Sequence, residues 1–138
     1  MTTFKTQSNR AAGNRVEHEL CEALFHNGFW VHNLKQDNAG QPADIIAAKD
    51  GQAFLIDCKN CARQGFDLRR IESNQITAMQ LWQECGNGYG WFALKLDGKF
   101  YMFSSYRAKT LKQSRSTLSA DEIRIMCLPL ETWMEALK

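Results

Sequence analysis

The sequence lacks the features that would send it to a membrane or out of the cell. None of its apolar runs approaches the roughly 18 to 20 residues needed to span a bilayer. Its first ten residues, MTTFKTQSNR, have no apolar core of the signal-peptide type. It also has no internal repeat, low-complexity tract or linker. We therefore expect a cytoplasmic protein with one compact domain over residues 1–138.

The cysteines do not form the even, dense set that is typical of a secreted disulfide scaffold. There are five, scattered along the chain. Cys58 and Cys61 form one C-x-x-C motif, and His18 and Cys21 form a second spaced pair. Together they would supply the four ligands that a zinc site needs, but the two pairs differ in their ligand types. We expect reduced, buried thiols rather than a zinc site.

Acidic residues are missing from the segment 104–120. Net charge is only +2, from 17 Lys plus Arg against 15 Asp plus Glu. Residues 104–120, however, contain no acid and four regularly spaced cations: Arg107, Lys109, Lys112 and Arg115. Such a run is usually a solvated face, and it is also what a surface that follows DNA phosphates requires. Both interpretations stay open from the sequence.

Hydrophobic periodicity predicts an α/β fold, in which a central mixed sheet with mainly hairpin connections is flanked by helices. Helices are predicted over residues 10–27, 73–85 and 130–137, and strands over 29–34, 44–48, 53–59 and 123–128, with a further hairpin over 91–103. Residues 35–43 and 60–70 are predicted loops. Asp-Gly pairs at 50–51 and 97–98 predict tight hairpin turns. The core is expected over about 10–103, followed by the basic segment and a C-terminal strand and helix over 104–138.

The chemistry is concentrated in the segment QPADIIAAKDGQAFLIDCKN. Alternate residues of a strand share one face, which places Leu55, Asp57 and Lys59 together. Pairing across the turn at 50–51 would bring Asp44 beside Asp57 and Lys59. Asp57 and Lys59 alone could be an ordinary ion pair. Two carboxylates so close repel each other unless a cation lies between them, and Mg²⁺ favours one or two carboxylates with phosphate oxygens.

These motifs resemble the PD-(D/E)xK nuclease superfamily, with the restriction-endonuclease-like fold. The resemblance lies in D-x(12)-D-x-K preceded by a helical Glu, and it covers residues 10–103. Within the superfamily the chain looks most like small Holliday-junction resolvases. The shared motifs are G-x-x-x-E-x-E-L, G-F-x-V, P-A-D-I-I, I-D-C-K, a helix opening with Gln75 and an aromatic hairpin.

The resemblance implies a metal-dependent active site on this hairpin. One or two Mg²⁺ ions, for which Mn²⁺ could substitute, would be held by Glu17, Asp44, Asp57 and the backbone carbonyl of Cys58. Lys59 would position or help activate the attacking water. Gln75 would orient Lys59 or that water.

The resemblance further implies an endonuclease that acts on DNA, with a four-way junction as the expected substrate in recombination and repair. Two symmetric cuts imply a homodimer. No membrane and no organic cofactor are expected as partners. The expected DNA contacts are Arg10, Arg15, Arg69, Arg70, Arg107, Lys109, Lys112 and Arg115.

Helical geometry separates Glu17 from its neighbour Glu19. Glu17 stands at the edge of the apolar face of the first helix, whereas Glu19 lies farther from it, so we assign the active-site role to Glu17 and expect Glu19 to be exposed. The three histidines, His18, His26 and His32, are expected at the surface rather than in catalysis. The later aromatics are expected in the core rather than stacked on bases: Trp82, Trp91, Phe92, Phe100, Tyr101 and Phe103.

Three alternatives remain from the sequence. The chain could be another nuclease of the same superfamily, of restriction or repair type. It could be a catalytically silent DNA-binding module of that fold, although such a binder has no use for acids facing phosphates. It could also be a structural or inhibitory interaction protein, for which no residue pattern gives a positive signal.

Overall fold

The computed structural model describes residues 11–34 and 43–137. The helices are α1 (Ala11–His26), α2 (Ser73–Glu84), α3 (Ser105–Lys112), α4 (Ala120–Met126) and α5 (Leu130–Glu135). The strands are β1 (Trp30–Asn33), β2 (Ile45–Lys49), β3 (Gln52–Asn60), β4 (Gly65–Asp67), β5 (Trp91–Leu96), β6 (Lys99–Ser104), β7 (Thr117–Ser119) and β8 (Leu128–Pro129). In the described part of the chain, no helix is long and apolar enough to cross a membrane.

Six of the strands form one mixed sheet in the order β1-β2-β3-β5-β6-β8. The β3–β5 pair is parallel, and the other pairs of this sheet are antiparallel. Because β3 and β5 run in the same direction, α2 crosses over between them. Helices flank the sheet, so the predicted fold class is confirmed.

Both predicted Asp-Gly turns close two-residue hairpins. Asp50 and Gly51 have φ of 52° and 79°, and Asp97 and Gly98 have φ of 51° and 76°. Two consecutive positive φ angles match the backbone twist of paired strands, and Asp and Gly tolerate them. The first turn fixes the β2–β3 register and thereby decides which residues lie opposite each other.

Each face of the sheet carries its own apolar core. Leu55 of β3 packs with residues of α2 and α4, whereas Phe54 and Ile56 pack with α1 and α5. This is the alternation predicted for β3. The cores reach beyond residue 103, because Trp133 of α5 is buried and stacks against Phe29.

The aromatics predicted to be in the core are buried or packed against it, as expected. Phe92, Tyr101 and Phe103 are buried, and the other three residues are partly buried beside the cores: Trp82, Trp91 and Phe100.

The prediction of a strand over residues 123–128 is wrong, because this segment is mostly helix α4. The helix begins with a capping box: Ser119 Oγ accepts from Glu122 N at 3.1 Å, and Glu122 Oε1 accepts from Ser119 N at 2.9 Å. The S-x-x-E spacing of that box is a helix-start signal in the sequence. A strand remains only at Leu128–Pro129.

The segment 60–70 is not simply a loop. It contains β4, which pairs with β7, and a 3₁₀ turn over Leu68–Arg70. Phe66 and Leu68 are buried there. The small β4–β7 sheet joins the segment that follows β3 to the basic segment.

Gly65 is the position where this small sheet depends on glycine. Its φ is +148°, and a Cβ there would lie 2.0 Å from Leu118 O. We therefore expect Gly65→Ala to lower the free energy of unfolding by more than about 2 kcal/mol, from backbone strain and overpacking. Urea denaturation measures the change. Gly88→Ala is the matched control, because a Cβ there meets nothing within 4 Å; equal losses in the two variants would contradict the role of Gly65.

Candidate active site

Asp44 is fixed beside the sheet by hydrogen bonds to β3 and to Leu34, the residue that follows β1. It directly precedes β2, rather than beginning it as predicted. Its N–H donates to Ile56 O at 3.0 Å, and its carbonyl accepts from Leu34 N at 2.8 Å. Its carboxylate Oδ2 accepts from Cys58 N at 2.8 Å. The backbone of β3 therefore holds this buried carboxylate beside the end of the strand.

Asp57 lies on β3 with its carboxylate almost fully buried. Oδ1 accepts a hydrogen bond from Gln75 Nε2 at 3.2 Å. Oδ2 forms an ion pair with Lys59 Nζ at 3.1 Å. Among the described residues, however, no donor is aligned to hydrogen-bond that buried oxygen. A buried carboxylate oxygen without a donor is a position that a bound cation would stabilise.

Gln75 reaches Asp57 from the first turn of α2. Its Oε1 accepts from Glu72 N at 3.1 Å, which fixes which end of the amide faces the sheet. The sequence predicted that Gln75 would orient Lys59 or a water. In the structure its partner is Asp57, so Gln75 positions the carboxylate.

Glu17 and Glu19 lie in different surroundings. Glu17 is buried on α1, interacts electrostatically with Asp44 and is hydrogen-bonded to Asn33 of β1. Glu19 is partly buried rather than fully exposed, and it forms an ion pair with Lys95 of β5 at 2.6 Å. Of the two glutamates, Glu17 is therefore the one beside the acidic pair.

Burial raises the pKa of all three acids. Burial, followed by the charge of Asp44, raises the pKa of Asp57 to about 8, against the opposing effect of Lys59. Burial and the Asp44 charge raise the pKa of Glu17 to about 7. Burial also raises the pKa of Asp44 above its ordinary value, against the hydrogen bond from Cys58. A nearby cation would favour the ionised form of each.

The donor set fits a hard cation with few protein ligands rather than a closed cage. Within residues 11–34 and 43–137, no three His, Cys, Asp or Glu side chains form a group that could hold a metal ion. The four-ligand zinc site considered from the sequence is therefore not formed, and the five cysteines are free thiols. Mg²⁺ needs only one or two carboxylates and completes its shell with water and phosphate. Asp44 and Asp57 meet that need, whereas Glu17 as a direct ligand stays a prediction.

The backbone carbonyl of Cys58 is suitably directed to join them. The N–H and C=O groups of a strand residue point to the same side of the strand. Because Cys58 N donates to the Asp44 carboxylate, its carbonyl faces that side too. Its role as a ligand stays a prediction.

The histidines lie apart from the acids. His18 and His26 lie 3.7 and 3.1 Å from Glu22 on α1, and His32 stacks on Trp30 at 6.0 Å. None of the three takes part in the hydrogen bonds and ion pairs of the acidic cluster described above.

Among the predicted DNA contacts, Arg70 and Lys112 each donate to a backbone carbonyl next to an element that carries an active-site residue. Arg70 donates to Asn60 O at 2.6 Å, directly after Lys59, and stacks on Phe66. Lys112 donates to Ile71 O, just before α2. Both are therefore close to the turn that presents Gln75.

Most of the other predicted DNA contacts have partners within the chain. Arg107 donates to Met126 O at 2.8 Å and lies in the first turn of α3. Arg69 pairs with Asp67. Three more residues complete the set: Lys109 donates to Gln80, Arg115 pairs with Glu122, and Arg15 is exposed on α1. Arg10 lies outside the described residues.

Comparisons with known proteins agree with this arrangement. A family model described as archaeal Holliday junction resolvase (Hjc) matches residues 8–138. Among solved structures, the chain is similar to Hjc of Archaeoglobus fulgidus, a Holliday junction resolvase from an archaeal hyperthermophile, with a TM-score of 0.67. That alignment covers 86% of this chain and 96% of the other at 16% identity, and supports the fold. No curated protein matches.

The raised pKa of Asp57 predicts a pH-dependent stability in the absence of metal. Folding moves that pKa from 3.8 to about 8, so between these values the folded state holds a proton that the unfolded state releases. Stability in EDTA therefore falls as pH rises from about 4 to about 8. We expect Asp57→Asn to match the wild type near pH 4 and to exceed it by at least about 1.4 kcal/mol above pH 8.

Urea denaturation at several pH values measures this difference. Asp121→Asn is the control, because Asp121 lies on α4 with its side chain 90% exposed. The same pH dependence of stability in Asp57→Asn and Asp121→Asn would contradict a pKa of Asp57 raised by burial.

Proposed function

Because this chain belongs to the archaeal Holliday junction resolvase family and is a nuclease of that kind, we propose that it cuts four-way DNA junctions with a Mg²⁺-dependent site at the end of β3. The observation that carries the proposal is the convergence of Asp44, Asp57 and Lys59: Oδ2 of Asp57 is buried beside a second carboxylate and lies 3.1 Å from the Lys59 ammonium.

Asp44, Asp57 and the carbonyl of Cys58 are the groups that would hold the ion, with Glu17 beside Asp44. When bound, Mg²⁺ would polarise the phosphoryl oxygen and lower the pKa of a coordinated water, and Mn²⁺ could replace it. Gln75 keeps the Asp57 carboxylate in one orientation through its own bond to Glu72 N.

Lys59 supplies the positive charge that the reaction needs beside the acids. Its side chain is 12% exposed, so the ammonium stands between the buried Asp57 and the surface. From there it can offset charge that develops on the phosphoryl oxygens and help to position the attacking water. Its ion pair with Asp57 keeps the long side chain in place before DNA binds.

Arg70 and Lys112 are the cations best placed to hold the neighbouring phosphates. Each donates to a backbone carbonyl next to an active-site element, which fixes its side chain near the catalytic end. A guanidinium or ammonium held in place loses less conformational entropy when it binds a phosphate. We therefore place the DNA backbone along the turn before α2.

The geometry of a four-way junction also determines how many copies of the chain are needed. Separating its arms needs two symmetric cuts, so we propose a homodimer that acts on branched DNA in the cytoplasm. Cleavage of flap and linear DNA at the same rate as a four-way junction would instead favour a nuclease of another type from the same superfamily.

Removing the central charges should abolish cleavage without abolishing DNA binding. We expect Asp57→Asn and Lys59→Met each to lower the single-turnover rate on a fixed four-way junction at least about a thousandfold in Mg²⁺, because several kcal/mol of transition-state stabilisation are lost. Gel-shift titration in EDTA should show junction binding within a few fold of the wild type.

The control for this experiment is Asp121→Asn, which removes an exposed carboxylate and should cut at the wild-type rate. EDTA should stop wild-type cleavage, and Mg²⁺ or Mn²⁺ should restore it. Cleavage at the wild-type rate by either Asp57→Asn or Lys59→Met would contradict the proposed mechanism.

Arg70 should contribute to DNA affinity through the phosphates. We expect Arg70→Ala to weaken binding to four-way junctions of unrelated sequence by a similar factor, and to reduce the slope of log K against log salt by about one. Titrations over a range of NaCl concentrations in EDTA measure both. Arg124→Ala is the matched control, because Arg124 pairs locally with Asp121 on α4. The same slope for both variants would exclude Arg70 from the interface.

A further inference from the structure

Asn33 is the last residue of β1, and no step of the proposed reaction uses it. Its side chain is partly buried. Its backbone is paired with Ile45, the first residue of β2, which directly follows Asp44. The next residue, Leu34, donates its N–H to the carbonyl of Asp44 at 2.8 Å. The end of β1 is therefore held at a fixed place relative to Asp44.

The strand register places the Asn33 side chain on the sheet face that carries α1. Residues directly opposite each other in two paired strands share a face, and so do residues two apart on one strand. Ile45, opposite Asn33, and Val31, two residues before it, both pack in the core that α1 covers. The Asn33 amide is therefore directed toward the helix that carries Glu17.

A hydrogen bond joins Asn33 to Glu17 between this face and the helix. An ionised carboxylate can only accept, so the amide N–H of Asn33 is the donor. Glu17 is buried, and the like charge of Asp44 nearby repels its carboxylate. The bond from Asn33 opposes that repulsion, because a donor stabilises the ionised acid.

The bond from Asn33 holds Glu17 without neutralising it. An amide donates while it carries no net charge, whereas Lys59 brings a positive charge to Asp57. A carboxylate has about four lone-pair sites on its two oxygens, so one hydrogen bond leaves the others free for a cation. Glu17 thus keeps both its charge and its capacity to bind a metal ion.

We propose that Asn33 is a positioning residue of the active site, which holds the Glu17 carboxylate toward Asp44 in the orientation that binds Mg²⁺. It acts through Glu17 rather than by contact with the metal ion. The proposal deepens the proposed function and rests on it, because it takes the metal site at the acids as given. Carboxylates that bind metal ions are commonly held by such hydrogen bonds.

The same arrangement recurs at the other two acids. Each of the three buried acids has one neutral N–H donor, in the pairs Asp44–Cys58, Asp57–Gln75 and Glu17–Asn33. The three donors belong to three different elements, β3, α2 and β1. The positions of the acids relative to one another therefore depend on how these elements pack together.

Mn²⁺ binding by the full chain without DNA tests the proposal apart from cleavage. Electron paramagnetic resonance measures the free Mn²⁺ during a titration. We expect Asn33→Leu, which removes the donor at nearly constant volume, to raise the Mn²⁺ dissociation constant at least about tenfold. Asn33→Gln keeps the amide and should bind within a few fold of the wild type. Asn27→Leu is the matched control and should bind as the wild type, because the exposed Asn27 donates to Ala23 O within α1.

The double variant Glu17→Gln/Asn33→Leu separates a positioning role from a purely structural one. If Asn33 acts through Glu17, Asn33→Leu should weaken Mn²⁺ binding by less than about twofold when residue 17 is already Gln. Loss by the same factor in both backgrounds would overturn the proposal. Mn²⁺ binding by Glu17→Gln at the wild-type affinity would overturn it too, since Asn33 would then have no metal ligand to position.

Single-turnover cleavage of a four-way junction adds a second measurement. Asn33→Leu should raise the Mg²⁺ concentration that gives the half-maximal rate at least about tenfold, and should lower the rate at saturating Mg²⁺ far less. A lower saturating rate with an unchanged Mg²⁺ requirement would contradict the assignment. Urea denaturation in EDTA checks that the variants fold, and Asn33→Ser, which also lacks the amide, replaces Asn33→Leu if the latter does not.

Failure of the proposed function is distinguishable from failure of this assignment. If Asp57→Asn binds Mn²⁺ and cuts as the wild type does, the metal site is wrong and the role of Asn33 falls with it. If Asp57→Asn loses both while Asn33→Leu binds Mn²⁺ as tightly as the wild type, the chemistry stands and the role of Asn33 alone falls.

Discussion

Repulsion between buried carboxylates is the constraint on which the active site depends. Asp44 and Asp57 lie side by side at the end of β3, where burial raises the pKa of both. Three groups compensate in part: the N–H of Cys58, the amide of Gln75 and the ammonium of Lys59. The buried Oδ2 of Asp57 lies 3.1 Å from the Lys59 ammonium, but no donor among the described residues is aligned to hydrogen-bond it. These groups offset only part of the repulsion between the two carboxylates. A divalent cation bound between them would offset the rest, because it stabilises the ionised form of both acids at once.

Such a site needs a rigid support, and the two cores provide it. Residues of β3 alternate between them, with Leu55 in one and Phe54 and Ile56 in the other, so the strand cannot shift by one residue without moving both sets. The C-terminal helix α5 contributes here although it carries none of the acids. Its buried Trp133 packs against Phe54, directly behind the catalytic strand.

Patterns local in the sequence were enough to predict the catalytic strand. Other parts of the structure depend on contacts between residues far apart in the chain. Alternation along β3 and an Asp-Gly turn suffice to bring Asp44 and Asp57 together, because both rules act within a few residues. The strand predicted over 123–128 is a helix, since its capping box outweighs β-branched residues such as Ile123 and Ile125. The partner of Gln75 and the small β4–β7 sheet depend on contacts between distant segments, which periodicity does not report.

Net charge is a poor guide to how this chain binds DNA, because DNA phosphates respond to the electrostatic field of nearby charges. At physiological salt a charge is screened within about 8 Å. Several cations are neutralised by acids of the chain, as in the pairs Lys95–Glu19 and Arg69–Asp67. Arg70 instead donates to a backbone carbonyl beside Lys59, and so keeps its charge available near the acids. The attraction for phosphates therefore depends on where such cations lie, which the net charge of +2 for the whole chain does not report.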